Sequence, residues 1–203
     1  IMNLVELIND LNFNILFPLF IGFKLLLETY LKQRNIQSME KNKETIPERF
    51  IDVVTEEEYK KSINYNTERI RFSMFTATIS VGVLLLFTTG GLLNFLTKIV
   101  QDITQSNVLG IILLGLFIVL IDEIIGIPLA IYSTFTLEEK YGFNKTTAKT
   151  FVQDLIKNLI ISVIFASTLY AVVISIIERL GDNWWIYAFL ADFLFQAIIF
   201  YLY

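Results

Sequence analysis

Hydrophobic residues in this chain come in blocks of about twenty, not in the stripe of one apolar residue every three or four that marks a half-buried helix. Five such runs stand out, at roughly residues 11–31, 72–95, 108–135, 155–177 and 184–203. At about 1.5 Å of rise per residue, each is long enough to cross bilayer hydrocarbon as a helix. The pattern predicts an all-α, polytopic membrane protein with about five transmembrane helices. Two polar connectors break the series, 32–71 and 136–157.

Local signals refine these elements. Within the first connector, Thr55 followed three residues later by Glu58 reads as a capping box that opens a helix. Glu56 with Lys60 and Glu57 with Lys61 then stand four apart, as ion pairs on one helix face require. The expected result is a solvated helix that continues into the second run. Gly90-Gly91 marks a kink near the far end of that run or a close helix approach, and residues 96–107 read as a short linker. Pro128 removes a backbone hydrogen bond inside the third run, which is too long for one perpendicular span. Thr146 or Thr147 can cap the next helix, and Trp184-Trp185 suit an interfacial aromatic belt.

Polar residues inside apolar runs are costly in lipid and therefore informative. Lys24 and Glu28 stand four apart and either pair with each other or snorkel to the interface. Asp122 and Glu123 lie in the middle of the third run, and Asp192 and Gln196 share a helix face in the fifth. These four are candidate residues lining a hydrated cavity.

Composition narrows the chemistry. The chain has 203 residues, no cysteine and no histidine. A zinc site built on His or Cys, and a Ser-His triad, are therefore excluded within it. No catalytic, cofactor-binding or metal-binding residue is expected in this chain, although carboxylate chemistry stays open. The net charge of −4, with no basic stripe, gives no reason to expect nucleic acid. The connectors 32–71 and 136–157 hold nine and four of the 16 Lys and Arg. An excess of basic residues marks the cytosolic side, so the N-terminus is expected to be luminal or periplasmic. The first residues lack a basic n-region and a cleavage site, so no cleavable signal peptide is expected. The chain stops within or at the end of its fifth run, which is an unusual place for a complete protein to end.

The stretch Pro128-Leu129, Tyr132, Phe135 and then Leu137-Glu138-Glu139-Lys140-Tyr141-Gly142-Phe143-Asn144-Lys145 resembles the N-terminal membrane region of the CAAX prenyl proteases, the integral-membrane zinc metallopeptidase family. Asp154-Leu155-Ile156-Lys157 fits the same pattern. So does the series Tyr30-Leu31, Arg34, Glu57-Glu58-Tyr59-Lys60-Lys61-Ser62, Tyr65-Asn66 and Phe72. The resemblance covers nearly the whole chain but only about the first half of a family member. It implies an H-E-x-x-H zinc domain in a C-terminal half absent from this chain, with zinc as the cofactor there and none here. It also implies a membrane chamber and a peptide or prenylated-peptide substrate. The partners to expect are then the lipid bilayer and the missing metalloprotease half. The membrane is either a bacterial inner membrane or the eukaryotic endoplasmic reticulum.

On this reading the chain is the membrane half of a zinc metalloendopeptidase active in CAAX processing, and it is inactive alone. Glu138, Glu139, Lys140, Gly142, Phe143 and Asn144 form a candidate connector that docks on the missing half or shapes substrate entry. A helix end held by Glu–Lys pairs, with Gly142 making a turn, is the plainer alternative. Two other function classes remain: a complete, non-catalytic membrane scaffold or partner-binding protein, and a small transporter using Asp122, Glu123 and Asp192.

Overall fold

A computed structural model describes residues 4–180 and 183–202. Six α-helices follow in chain order: α1 Leu4–Lys41, α2 Glu56–Thr88, α3 Leu92–Ile103, α4 Asn107–Tyr132, α5 Ala148–Leu180 and α6 Trp184–Leu202. A 3₁₀ turn at Glu48–Phe50 precedes α2, and a π-helical turn at Ser133–Glu138 extends α4. Regular structure among the described residues is entirely helical, as the block pattern predicts.

Among the described residues, five helices are long and apolar enough to cross a membrane: Phe13–Lys41, Glu56–Thr88, Asn107–Glu138, Ala148–Ile177 and Trp184–Tyr201. Their large apolar side chains point outward. Leu26 is 71% exposed, Phe20 69% and Phe200 88%. An aqueous protein could not tolerate so much continuous apolar surface, whereas in a bilayer the acyl chains cover it.

Helix α2 starts well inside the polar connector, and its first turn explains why. The Thr55 hydroxyl accepts from the Glu58 backbone N–H at 3.2 Å, and the Glu58 carboxylate accepts from the Thr55 N–H at 2.9 Å. Both donors would otherwise be orphaned at the helix end, and the acids Glu56, Glu57 and Glu58 sit at the positive end of its dipole. At the other end, α2 stops at Thr88 and Gly91 takes a φ of +78°, the left-handed conformation that only glycine adopts readily. The chain then forms α3 where a linker is expected from hydropathy. Leu92, Leu96 and Val100 recur on one face of α3, opposite Asn94, Lys98 and Gln101, and Leu96 and Val100 are buried. The helix is amphipathic, and average hydropathy understates such a segment.

The chain divides into two compact units. The first holds residues 1–93 and 129–144, where α1 packs along α2. Ile36 of α1 and Thr67 of α2 are buried, and Arg71 pairs with Glu40 at 3.2 Å. The second holds residues 94–128 and 145–203, where α5 packs on α6. Phe165 meets Phe195 edge-on at 5.4 Å in that interface. In the same unit the Tyr170 ring lies directly on Gly115 of α4, occupying the space a Cβ would need.

Candidate functional site

The polar turn after α4 is tightly organised. Pro128 cannot donate a hydrogen bond within α4, and the Ser133–Glu138 π turn follows within one to two helical turns. Leu137 at its end is 4% exposed. The Glu138 carbonyl then collects the N–H groups of Tyr141, Phe143 and Asn144, at 3.3, 2.9 and 3.3 Å. Gly142 donates to the Glu139 carbonyl at 3.0 Å and adopts a φ of +71°. The Asn144 carboxamide closes the turn on the Glu139 carboxylate at 2.8 Å. Helix α5 starts beyond it with the Thr147 hydroxyl accepting from the Thr150 N–H at 3.2 Å.

One face of α2 receives this turn. Lys61, Tyr65, Glu68 and Phe72 fall within about 60° of one another at 3.6 residues per turn. The Tyr65 ring lies 5.4 Å from Tyr141 and 4.6 Å from Phe143. Lys61 Nζ stands 5.8 Å over the Phe143 ring, and Lys140 Nζ reaches Glu68 Oε1 at 2.5 Å. Deeper along the same face, Phe72 meets Tyr132 at 4.9 Å. Tyr141 is 8% exposed, so the turn inserts one aromatic side chain and leaves Phe143 half in solvent.

Protonation follows from this packing. The hydrogen bond to Glu68, chiefly, raises the Lys140 ammonium above its ordinary value. Burial, and then the Glu68 carboxylate, push the Tyr141 phenol up. Both groups lie in the connector, outside the membrane-spanning segments.

The candidate connector residues Glu138, Glu139, Lys140, Gly142, Phe143 and Asn144 thus form one turn. Its lysine pairs across the fold, with Glu68, and not with a glutamate of its own turn. Glu68 was not legible as a partner from spacing, since the pair spans 72 positions. The only local signal was that Tyr65, Glu68 and Phe72 share a helical face. Lys60 does pair with Glu56 at 2.6 Å and with Glu44 at 2.5 Å, whereas Lys61 turns to Phe143 instead of Glu57.

The polar residues inside the spans lie elsewhere. Gln196 donates to Asp192 at 2.5 Å within α6, and Lys24 meets Glu28 at 3.5 Å within α1. Asp122 and Glu123 of α4 make no ion pair or side-chain hydrogen bond with another described residue. The structure does not join them to Asp192.

Comparison with known proteins places this architecture. The family pattern described as "CAAX prenyl protease N-terminal, five membrane helices" matches residues 35–203. The chain belongs to that CAAX prenyl protease family. A probable CAAX prenyl protease 1 of Schizosaccharomyces pombe is 32% identical over 190 residues, covering 85% of this chain and 39% of the relative. The human CAAX prenyl protease 1 homolog is 28% identical over 186 residues, covering 85% of this chain and 38% of its own length. The crystal structure of S. mikatae Ste24p shares the fold with a TM-score of 0.82 at 23% identity, covering 92% of this chain and 44% of that one. The chain therefore spans about two fifths of the length of the curated relatives it matches. As a CAAX prenyl protease N-terminal region with five membrane-spanning helices, it is an integral membrane protein.

The zinc that this family resemblance implies finds no fit here. Among the described residues no three His, Cys, Asp or Glu side chains stand close enough to hold a metal ion. With neither histidine nor cysteine in the sequence, the soft and imidazole donors that zinc favours are lacking. No catalytic step is assigned to this chain's residues through a metal.

Proposed function

We propose that this chain is the membrane half of a CAAX-prenyl-protease-type zinc metalloendopeptidase, forming part of an intramembrane chamber and inactive by itself. The observation that carries the reading is the family match over residues 35–203, on a chain without histidine that spans about two fifths of its relatives. Zinc and the water-activating glutamate would then come from sequence beyond these residues, and the substrate is a peptide, prenylated or not. The turn at Glu138–Asn144 serves as a docking surface for that catalytic half. Its anchoring on α2 by Tyr65, Lys61 and Glu68 supports this role. Asp122, Glu123, Asp192 and Gln196 line the hydrated interior of the chamber. The basic connectors lie in the cytosol and the N-terminus in the lumen or periplasm.

The test is a paired purification of the 203-residue chain and of the full product of its native gene. Zinc content and hydrolysis of a prenylated peptide are measured on both. The expected result is no zinc and no hydrolysis for the chain alone, with about one zinc per molecule and turnover for the gene product. Stoichiometric zinc and peptide cleavage by the 203-residue chain alone would sink the proposal.

A further inference from the structure

A cavity of about 610 Å³ opens in the second unit, between α3, the start of α4 and the end of α5. Its lining is divided by chemistry. Gln101, Thr104, Gln105, Ser106 and Asn107 gather where α3 turns into α4. Ile111, Leu114, Ile174 and Ile177 form the opposite wall, on the apolar faces of two spans. Among the described residues, no lysine, arginine, aspartate or glutamate lines it.

Its depth follows from α3. In chain order this amphipathic helix stands between the end of the second span at Thr88 and the start of the third at Asn107. Leu96 and Val100 on its apolar side are buried against protein, and Val100 also lines the cavity. Asn107 begins the third span and Ile177 ends the fourth, so the cavity lies at the ends of two spans, where headgroups meet acyl chains.

Its polar rim is only partly used by the protein. The Ser106 hydroxyl caps α4 by accepting from the Leu109 N–H at 3.4 Å, and the Thr104 hydroxyl accepts from the Ser106 N–H at 3.1 Å. The Gln105 carboxamide donates to the Gln101 carbonyl at 3.2 Å. The carboxamides of Gln101 and Asn107 bond to no other described residue. Each offers two donors and an acceptor to whatever occupies the rim.

We propose that this cavity binds a lipid with an uncharged, hydroxyl-bearing headgroup. The headgroup hydroxyls lie against the carboxamides of Gln101 and Asn107, and the hydrocarbon tail runs along Ile111, Leu114 and Ile174. A phosphate headgroup would be partly desolvated there with no cation among the described lining residues to pair it, which is unfavourable. Gln101 and Asn107 are both exposed, and a fully apolar occupant would leave their carboxamides only water as a partner. The volume is in the range of ordinary small-molecule sites.

The experiment uses the full product of the native gene in phosphatidylcholine vesicles, with two photoactivatable probes. One is a monoacylglycerol with a diazirine in its tail, and the other is the matching lysophosphatidic acid. Cross-linked residues are mapped by mass spectrometry. The neutral probe is expected to label residues 108–114 and 174–177 above the general lipid-facing background at positions such as Leu26. Labelling there should fall about threefold to tenfold in the Gln101→Leu, Asn107→Leu double variant, the equivalent of one or two neutral hydrogen bonds. Gly110→Leu, which fills the cavity beside Val100, should abolish it, and the double variant keeps the test decisive if Gly110→Leu fails to fold. Equal or stronger labelling by the anionic probe overturns the proposal. So does labelling no higher than at Leu26, or labelling unchanged in the double variant. Because zinc content and peptide hydrolysis are read separately, failure here is distinguishable from failure of the protease reading.

Discussion

Lys140 Nζ meets Glu68 Oε1 at 2.5 Å, joining a turn that follows the third span to a helix that enters the second. The pair holds its turn beside the aromatic contacts of Tyr65, so its main effect is on where the turn sits. Reversing one charge, in Lys140→Glu or Glu68→Lys, sets like charges face to face and should expose residues 138–145 to proteases. The double reversal should restore most of the protection. Limited proteolysis of the four proteins, with cleavage sites mapped, checks this; a double variant as labile as the singles would show that the pair does not position the turn.

Gly142 carries a second prediction. At a φ of +71° an L side chain is strained by roughly 1–2 kcal/mol. Space is not the obstacle, since among the described residues an added Cβ meets within 4 Å only the flexible Lys61 amine, at 3.8 Å. Gly142→Ala should therefore lower thermal stability by about that amount, and Gly142→Asn by less, because asparagine tolerates the left-handed region. Equal losses for the two variants would point to a steric cause instead.

Gly115 offers the opposite case. It sits in an ordinary helix, yet a Cβ there would overlap the Tyr170 ring. Gly115→Ala should destabilise the second unit by about 1–3 kcal/mol, as overpacking does. Tyr170→Ala, costly by itself, should relieve part of that loss when the two are combined. The check is a double-mutant cycle on thermal unfolding in detergent, where a coupling energy near zero contradicts the contact.

Alkaline pH gives a fourth. Lys140 and Tyr141 both have their protonated forms favoured in the fold, the first chiefly by its hydrogen bond to Glu68 and the second chiefly by burial. For a raised value, the stabilisation is complete below the unfolded-chain value, near 10 for both types, and is lost as pH rises through the folded one. The turn should therefore become protease-sensitive above about pH 10. Its onset should come earlier in Glu68→Gln, which removes the carboxylate that favours both protonated forms. Difference absorbance against Tyr141→Phe follows the phenol directly, and a Tyr141 that ionises no later than the other tyrosines would contradict the packing.

What could be foreseen depended on how far apart the interacting residues are in sequence. Thr55 with Glu58, Lys24 with Glu28 and Asp192 with Gln196 all form contacts three or four residues apart, which helical geometry dictates once the helix is recognised. Long apolar blocks announced the membrane architecture because nothing else needs them. The Glu138–Asn144 turn was legible as a unit from its charges and glycine. Its support on α2 was not, because Lys61, Tyr65 and Glu68 stand seventy or more positions before it and sit in a stretch whose charges read equally well as solvated. The helix α3 was missed for another reason: its amphipathic pattern straddles the end of one apolar run and a polar stretch. The π turn leaves no mark in composition, since it adds a residue to a helical turn without changing which residue types suit it.

One consequence lies in the continuity of α2. Its polar half has two working faces, Lys61, Tyr65, Glu68 and Phe72 toward the turn, and Lys60 and Arg71 toward Glu44 and Glu40. These faces are about 100° apart, which is the rotation contributed by a single residue. No loop or glycine hinge separates this half from the apolar half, so the helix transmits angular phase from the bilayer to the connector like a keyed shaft. Inserting one residue just after Phe72 would turn the polar half by one key position relative to the span, carrying the surface that grips Tyr141 and Phe143 out of register while leaving every side chain in it intact.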